Sequence, residues 1–407
     1  MLNLNNSIEN NIVITSVKSI TTEIENELNS ILNYWETETI DSINGGFIGE
    51  IDYNNLKNNK ADKGLVHHSR ILWTFSAAYN YTKKEKYQIL AKRALDYIVQ
   101  NFYDPEYGGI YWSVNFNGTP KETKNQIYGL AFTIYGLSEY FKITPDKNAL
   151  ELAISLYQKI EEYSYDKIKK GYFEAFTREW YPIDDLRLSE KDANEKKTMN
   201  THLHIVEAYA NLYLVWQDDG LKNKIKELLY TIEQYFIDKK TNHLKLFFDE
   251  NWNEKPDVIS YGHDIEASWL LLWCAEAIQD KELIKTYQKY AIQIAEVTKE
   301  GIDNDGGLWY EFDPRNNSLI AEKHSWPQAE LWIGMTNAYQ LTGEITFLNI
   351  VEKNINFVQN HIVDKENGEW FWGVHNDYSK IQKDKAGFWK CPYHNSRACL
   401  ELLKRLL

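Results

Sequence analysis

The sequence has few cysteines and prolines, and it lacks the signals of secretion and of membrane insertion. Its 407 residues include 3 cysteines, with no CxxC motif, and 8 prolines, with no Pro/Gly/Ser-rich linker. So few cysteines are typical of a reduced, cytoplasmic protein. The N-terminus is polar and has no apolar signal core, and the most apolar stretch, around Trp269–Ala275, is too short to span a bilayer. We therefore expect a cytoplasmic protein without membrane contact.

The chain is also short of positive charge, with 45 Lys and Arg residues against 59 Asp and Glu residues and a formal net charge of −14. An acidic protein repels phosphate backbones, so we expect no nucleic-acid partner. Neither a GxGxxG motif nor a P-loop is present, and we expect no cofactor. Aromatic residues, in contrast, are abundant, with 14 Trp, 28 Tyr and 16 Phe. Most should pack between helices, and the others offer flat apolar faces that suit sugar rings.

Short clusters of glycine and aromatic residues recur six times along the chain. They are GGFIGE (Gly45–Glu50), GGIYWS (Gly108–Ser113), GYFEAF (Gly171–Phe176), HLKLFF (His243–Phe248), GGLWYE (Gly306–Glu311) and GEWFWG (Gly368–Gly373). Their starts are 62 or 63 residues apart, except for one step of 72. A fixed period of this length indicates one supersecondary unit used six times. We interpret the clusters themselves as scaffold hairpins between the units.

Two stretches with the apolar period of a helix lie between successive clusters. The second stretches include Tyr87–Phe102, Ala149–Tyr163, Lys222–Phe236, Lys285–Val297 and Phe347–His361. Two helices in each of six repeats predict an all-α fold, an (α/α)6 barrel of six helix pairs with short β-hairpins between repeats, as one domain over residues 1–407. An open solenoid would need atypical capping repeats at its ends. Here Ile20–Tyr34 and Tyr393–Leu407 complete the first and last pairs, which favours a closed ring.

One connection is longer than its counterparts and dense in charge. It spans Thr177–Met199 and accounts for the step of 72 residues. Long insertions in a compact domain are usually functional loops or disordered segments. We predict that this one is a lid over a functional site, with a disordered bulge as the alternative.

Histidines fall at the start of the first helix in three repeats, at His204, His263 and His394. Residues three or four apart share a helix face. This spacing pairs Asn200 with His204, His263 with Glu266, His394 with Arg397, His67 with Arg70 and Trp326 with Glu330, and Tyr128 occupies the slot in the remaining repeat. A barrel would bring all of them to one cup. We interpret six other histidines as structural: His68, His202, His243, His324, His361 and His375.

These residue types favour proton transfer over two other kinds of chemistry. A zinc site usually includes a local His-x-x-x-His pair, which the sequence lacks, so we expect no metal. A glycosidase needs two opposed carboxylates, and Glu266, Glu330, Asp192 and Asp264 are candidates. Histidine nevertheless dominates the helix starts. Two imidazoles on opposite faces of a carbon beside a carbonyl could remove and return its proton, which would invert that carbon.

The same segments resemble the cellobiose 2-epimerases of the N-acylglucosamine 2-epimerase superfamily. The resemblance runs from Gly45 to the C-terminus. It rests on KGLVHHSRILWTFSAAY (Lys63–Tyr79), KTMNTHLHIVEAY (Lys197–Tyr209), SYGHDIEASWLLL (Ser260–Leu272), WPQAELW (Trp326–Trp332) and DKAGFWKCPYHNSRACLE (Asp384–Glu401). It implies an (α/α)6 barrel and reversible epimerisation at C2 of the reducing-end glucose in β-1,4-linked disaccharides such as cellobiose and lactose.

The resemblance also implies roles for ten residues. His263 and His394 match the family's acid/base pair, and His204 matches a histidine that assists ring opening. Arg70 matches the arginine that stabilises the enediolate oxygen, and Glu266 matches a carboxylate that supports the catalytic histidine. The residues that match substrate contacts are Asn200, Trp326, Trp389, Tyr128 and Asp192.

Ser325 departs from the family pattern, which typically has a tryptophan at this position. The departure bears on disaccharide preference more than on the chemistry. Three other functions stay open: an aldose–ketose isomerase that protonates C1 of the same enediolate, a glycoside hydrolase of (α/α)6 type, and a non-catalytic sugar-binding barrel. In each case we expect a monomer whose partner is a small oligosaccharide.

Overall fold

Helices dominate the computed structural model, which describes residues 2–256 and 258–407 and the side chains from residue 20 onward. Twelve α-helices lie in this part of the chain: α1 (Leu2–Thr37), α2 (Leu65–Thr82), α3 (Glu85–Tyr97), α4 (Ile127–Ile143), α5 (Lys147–Lys159), α6 (Met199–Tyr213), α7 (Asp219–Thr231), α8 (Tyr261–Ala277), α9 (Lys281–Thr298), α10 (Ser325–Thr342), α11 (Ile345–His361) and α12 (Tyr393–Leu406). The predicted helix pairs are thus present. The first helix is longer than the predicted Ile20–Tyr34.

The even-numbered helices differ from the odd-numbered ones in burial. From Leu65 to Ala78 every residue of α2 is buried, and α4 is equally buried from Ile127 to Tyr140. The helices α5, α7 and α9 are buried on one face only, and aspartate side chains accept backbone N–H groups at their N-termini. Among the described residues, no helix is both long and apolar enough to cross a membrane.

The even-numbered helices contact one another in a cyclic order. The helix α2 packs on α4, α4 on α6, α6 on α8, α8 on α10, α10 on α12, and α12 on α2 again. Each even-numbered helix from α2 to α10 also packs on the odd-numbered helix that follows it, and α12 packs on α1. The even-numbered helices are therefore surrounded on all sides, which explains their burial.

The six clusters form tight turns after the odd-numbered helices, as the sequence predicts. Each turn is closed by one antiparallel bridge: Ile40 with Phe47, Tyr103 with Ile110, Tyr165 with Tyr172, Ile237 with Leu244, Ile302 with Leu308 and Val363 with Trp370. A π-helical turn precedes three of them, at the ends of α3, α5 and α7.

Short strands join one repeat to the next. They are β1 (Lys63–Gly64), β2 (Ser113–Val114), β3 (Pro120–Glu122), β4 (Asn125–Gln126), β5 (Ala175–Phe176), β6 (Lys197–Thr198), β7 (Phe247–Phe248), β8 (Ile259–Ser260), β9 (Glu311–Asp313), β10 (Ser318–Ile320), β11 (Glu322–His324) and β12 (Gly373–His375). The strand before each of α2, α4, α6, α8 and α10 pairs antiparallel with the strand after the next odd-numbered helix. Ile51 and Ala386 form the sixth such contact, which joins the last repeat to the first.

Four buried lysines precede even-numbered helices, three of them by two residues and Lys385 by eight, and each is paired with an aspartate of a cluster turn. The pairs are Lys63 with Asp41, Lys197 with Asp166, Lys323 with Asp303 and Lys385 with Asp364, at 2.6–2.8 Å. A buried lysine requires such a partner because burial of an unpaired charge is costly. Each aspartate thus supplies the counter-charge of a buried lysine, and the sequence patterns did not predict these pairs.

Candidate active site

A cavity of about 470 Å³ opens at the N-terminal ends of the even-numbered helices. All ten side chains that the sequence singled out line it: Arg70, Tyr128, Asp192, Asn200, His204, His263, Glu266, Trp326, Trp389 and His394. Their convergence follows from the repeat. Arg70, His204 and Glu330 are each the seventh residue after a buried lysine of the set above. Arg70 and His204 thus reach the cavity from equivalent positions of the repeat, and Glu330, which does not itself line the cavity, bonds His394.

Two of the histidines, His263 and His394, contact the same indole. The ring centroid of Trp326 lies 4.9 Å from that of His263 and 5.5 Å from that of His394. His263 Nδ1 is 2.8 Å from Ser260 Oγ, and His394 Nδ1 is 2.6 Å from Glu330 Oε1. With Nδ1 engaged, each ring has Nε2 left for a substrate.

Burial keeps both of these imidazoles neutral. It lowers the pKa of His263 to about 4, with Glu266 opposing and His204 reinforcing the shift. Burial also lowers the pKa of His394 well below its ordinary value, and the positive charge of Arg70 acts in the same direction. A neutral imidazole can act as a base, so both side chains are suited to proton removal near neutral pH.

Arg397 is the centre of a buried charge network behind the histidines. Its guanidinium donates to Glu207 Oε1 at 2.6 Å and to Glu266 Oε1 and Glu330 Oε1 at 2.7 Å each, and it contacts the Tyr393 hydroxyl. The three glutamates come from α6, α8 and α10, and the arginine from α12. Four of the six surrounded helices are therefore tied together by one side chain.

This network includes Glu266, for which the resemblance implies a supporting role. The resemblance implies that Glu266 supports the catalytic histidine, and its charge opposes the lowering of the pKa of both His263 and His394. Its Oε1 accepts from Arg397, and Glu330 is the carboxylate that bonds His394 directly. Sequence reasoning placed Glu330 on the same face as Trp326 and left its partner unknown. The signal that could have found it is that both glutamates are the sixth residue of their helix, the position of His204 in α6.

His204 lies deeper in the cavity wall than the other two histidines. Its Nδ1 is 2.8 Å from Glu207 Oε2, and its ring packs on Phe132 at 4.6 Å and on Tyr128 at 5.1 Å. Burial alone would raise the pKa of Glu207, but Arg397 and His204 outweigh it and hold that pKa at about 2. Glu207 is therefore ionised and fixes the orientation of the His204 ring.

Arg70 brings a positive charge to the cavity. It donates to the Tyr128 hydroxyl at 2.9 Å, and its guanidinium carbon lies 4.2 Å from the Phe132 ring centroid. The side chain is buried, and its Nε has no hydrogen-bond partner among the described residues. Among the residues that the structure describes, no carboxylate forms a hydrogen bond with Arg70, so its charge is available to an oxygen anion in the cavity.

Glu266, Glu330 and His394 also form the one group of the described residues that could hold a metal ion, with ligand atoms within 4.8 Å of one another. Arg397 already bonds the Oε1 atoms of both glutamates. A cation in this space would have to displace a buried guanidinium. The donor set therefore fits the arginine better than a metal.

The charged insertion contributes one wall of the cavity, from Leu188 to Asp192. Gln126 and Lys124 hold it from below, with donor–acceptor distances of 2.9 and 3.0 Å to the carbonyl oxygens of Leu186 and Arg187. Asp192 Oδ2 accepts from both the backbone N–H and the hydroxyl of Ser189, which leaves Oδ1 for a substrate.

Three of the six histidines interpreted as structural have contacts that bear on that interpretation. His68 and His202 accept backbone N–H groups of the cluster turns through Nε2, which agrees with that interpretation. His324, in contrast, lines the cavity, stacks on Tyr310 at 3.8 Å and bonds Glu322. Sequence reasoning missed it because it belongs to β11 and lies outside the helix-start slot. Ser325 and Trp372 line the cavity beside it.

Comparisons with known proteins agree with this geometry. The family model of N-acylglucosamine 2-epimerase matches residues 46–398. The cellobiose 2-epimerase of Bacteroides fragilis is 47% identical over 383 residues, which cover 94% of this chain and 98% of that protein. That of Dictyoglomus turgidum is 39% identical over 96% of this chain and 100% of that protein. The solved cellobiose 2-epimerase of Bacillus thermoamylovorans superposes with a TM-score of 0.90 at 37% identity, over 95% of this chain and 100% of that one. The chain therefore belongs to the N-acylglucosamine 2-epimerase family and is a sugar epimerase.

Proposed function

We propose that the chain is a single-domain, monomeric (α/α)6-barrel enzyme that interconverts the reducing-end glucose and mannose of β-1,4-linked disaccharides, cellobiose and lactose among them, by epimerisation at C2. The observation that carries the proposal is the placement of His263 and His394 against Trp326. The two histidines come from different helices, so they can approach one carbon from two sides. The indole offers a flat apolar face to the sugar between them. Similarity to cellobiose 2-epimerases supports the disaccharide substrate.

The mechanism begins with ring opening, because the open-chain aldehyde makes the C2 proton acidic. His204 moves a proton between O1 and the ring oxygen. One histidine of the pair then removes the C2 proton, and the electrons of that bond form a cis-enediolate whose oxygen is stabilised by Arg70. Rotation about C2–C3 presents the other face, the second histidine donates a proton there, and the ring closes. Both electrons of the broken C–H bond stay with the substrate, so the scheme needs no redox cofactor.

The donated proton can be held between His394 and Glu330. Their hydrogen bond is 2.6 Å long, and burial lowers the pKa of the histidine while it raises that of the glutamate. With the proton on Glu330, Nδ1 of His394 accepts and Nε2–H can donate to C2. With the proton on Nδ1, Nε2 is a free base. One hydrogen-bonded pair can thus act as acid in one direction and as base in the other, as reversibility requires.

We expect the acid limb of the kcat/KM profile to lie well below pH 6.5. Only a neutral imidazole can remove a proton, and burial lowers the pKa of His263 to about 4. A lowered pKa keeps the neutral form dominant at lower pH, so the rate should hold as the pH falls and decline only near that value. The measurement is kcat/KM against pH, with circular dichroism at each pH to detect unfolding. An inflection at pH 6.5 or above would contradict a desolvated His263.

Incubation with cellobiose, lactose, mannose and N-acetylglucosamine, separately and in D₂O, tests the proposal. Cellobiose and lactose should each give the mannose-ended disaccharide with deuterium at C2, and no monosaccharide. Chromatography and mass spectrometry resolve the products. A ketose as the main product would indicate an isomerase, and free glucose a hydrolase. An epimer without deuterium would exclude proton transfer with solvent exchange, and binding without any product would indicate a sugar-binding protein.

A further inference from the structure

The sixth cluster turn has a glutamate where most of the other turns have a glycine. The residue just before the bridged residue is Gly46, Gly109, Gly171, His243, Gly307 and Glu369 in the six turns. Glu369 has a φ of +64°, in the left-handed region that side chains with a Cβ rarely adopt. Such strain persists only where the surroundings enforce it, and it clusters at functional sites.

The carboxylate of Glu369 is buried and accepts three hydrogen bonds. Its Oε2 accepts from Trp35 Nε1, and its Oε1 accepts from Lys390 Nζ and from Asn395 Nδ2, each at 2.6 Å. Trp35 belongs to α1, and the other two donors lie on either side of His394 in the chain. The glutamate is 1% exposed and does not itself line the cavity, whereas Lys390 and Asn395 do.

Lys390 is unusual for its position in the repeat. The fifth residue after the buried lysine is His68, His202 and Gln328 in three other repeats, and each of these accepts a backbone N–H from its own cluster turn. In the sixth repeat this residue is a lysine, a donor only. A lysine cannot accept the N–H, and the direction of the contact is reversed: Lys390 donates to the carboxylate of Glu369 in the turn. The substitution of both partners together turns a neutral anchor into a buried ion pair.

We infer that Glu369 is a positioning residue for the segment Trp389–Asn395, which carries His394. One carboxylate holds Lys390 near the beginning of this segment and Asn395 at its end, and Trp35 fixes that carboxylate against α1. The segment is thereby held at both sides of Cys391 and His394. The inference rests on the proposed function only in that His394 is taken as one of the two bases.

The double variant E369G/K390Q tests the inference, because it recreates the arrangement of the fifth repeat, where Gly307 and Gln328 occupy these positions. Glycine suits the positive φ, and glutamine leaves no unpaired charge, so the fold should be retained. The glutamine could accept a backbone N–H of the turn, as Gln328 does, but Asn395 would lose its acceptor, so the segment would be held at one end only. Since misplacement of a catalytic group by about 1 Å can cost about 10²-fold in rate, we expect kcat/KM for epimerisation to fall by about that factor. Wild-type kcat/KM in the folded double variant would overturn the inference.

A second readout does not depend on the substrate. Cys391 lies inside the held segment, whereas Cys274 and Cys399 are buried elsewhere. Labelling of the native protein with iodoacetamide, followed by mass spectrometry, should show faster modification of Cys391 alone in the double variant. Unchanged labelling of Cys391 would overturn the inference, whatever the activity of the protein. Failure of the wild-type protein to epimerise cellobiose and lactose would instead count against the proposed function.

Two further variants keep the test decisive. The control K63Q/D41N removes another buried lysine–carboxylate pair, and it should lower Tm while kcat/KM and Cys391 labelling stay at wild-type values. If E369G/K390Q does not fold, the isosteric E369Q answers the question. Its amide oxygen can still accept from Lys390 and Asn395, but its amide nitrogen cannot accept from Trp35 Nε1, and Lys390 loses its counter-charge. The same two changes should therefore appear to a smaller extent.

Discussion

Replacement of His263 or His394 by asparagine is expected to lower kcat for epimerisation by about 10²–10⁴-fold, the contribution of one positioned base or acid. The fold should survive, because the asparagine amide can replace Nδ1 in the hydrogen bond to Ser260 or to Glu330. The measurement is initial-rate kinetics on cellobiose with chromatographic separation of the epimers. Retention of more than about a tenth of the wild-type rate in either variant would contradict the scheme with two bases.

Deuterium exchange separates the two histidines further. If each histidine serves one face of C2, a variant that lacks one of them should still exchange the C2 proton of one epimer with D₂O without converting it. The two variants should then exchange opposite epimers. His202→Gln is the matched control, since Gln328 occupies the equivalent slot and accepts the same kind of backbone N–H. It should change Tm and leave kcat unaltered.

Local periodicity explains why the helices and the cavity could be predicted from the sequence. The apolar period of 3.6 and the cluster spacing are properties of neighbouring residues, and the turns and helices form where these patterns place them. His204 and His263 could be found because both lie in the first two turns of helices that follow the clusters. His324 could not, since it belongs to a strand, and a single histidine in a strand carries no periodic signal.

The charge network could not be predicted, for a different physical reason. Arg397 bonds Glu207, Glu266 and Glu330, which lie 190, 131 and 67 residues away along the chain. In the sequence, a charged helix residue that is buried in an ion pair cannot be distinguished from one that faces solvent, which is the commoner case. The same holds for the buried lysines before the even-numbered helices. Only the closure of the ring brings the partners together, so the partners become visible only in three dimensions.

Arg397→Met should destabilise the protein by about 3–5 kcal/mol, which is the usual cost of removing one partner of a buried ion pair. Arg397 is 1% exposed, and methionine would fill much of its volume while three carboxylates would lose their counter-charge. Urea denaturation followed by circular dichroism measures the change. Arg405→Met is the matched control: it lies on the same helix, is 18% exposed and bonds Asn337 and Gln340, so its loss should cost under about 1 kcal/mol.

The pH dependence of the stability lost in R397M identifies the interaction that Arg397 supplies. In the wild type Arg397 helps to hold the pKa of Glu207 at about 2, below its unfolded value, so that carboxylate stabilises the fold above the unfolded pKa. Without the arginine, burial raises the pKa of Glu207 above the unfolded value, and the sign reverses: the contribution to stability is then present at low pH and lost as the pH rises. The difference in unfolding free energy between wild type and R397M should therefore be smaller at pH 5 than at pH 8. A difference that is equal at both pH values would mean that packing, and not the pairing of charges, is what Arg397 supplies.

Glu330 is one of the three carboxylates, and it also bonds His394. The loss of the positive charge of Arg397 should therefore raise the pKa of that histidine and shift the acid limb of the surviving activity to higher pH.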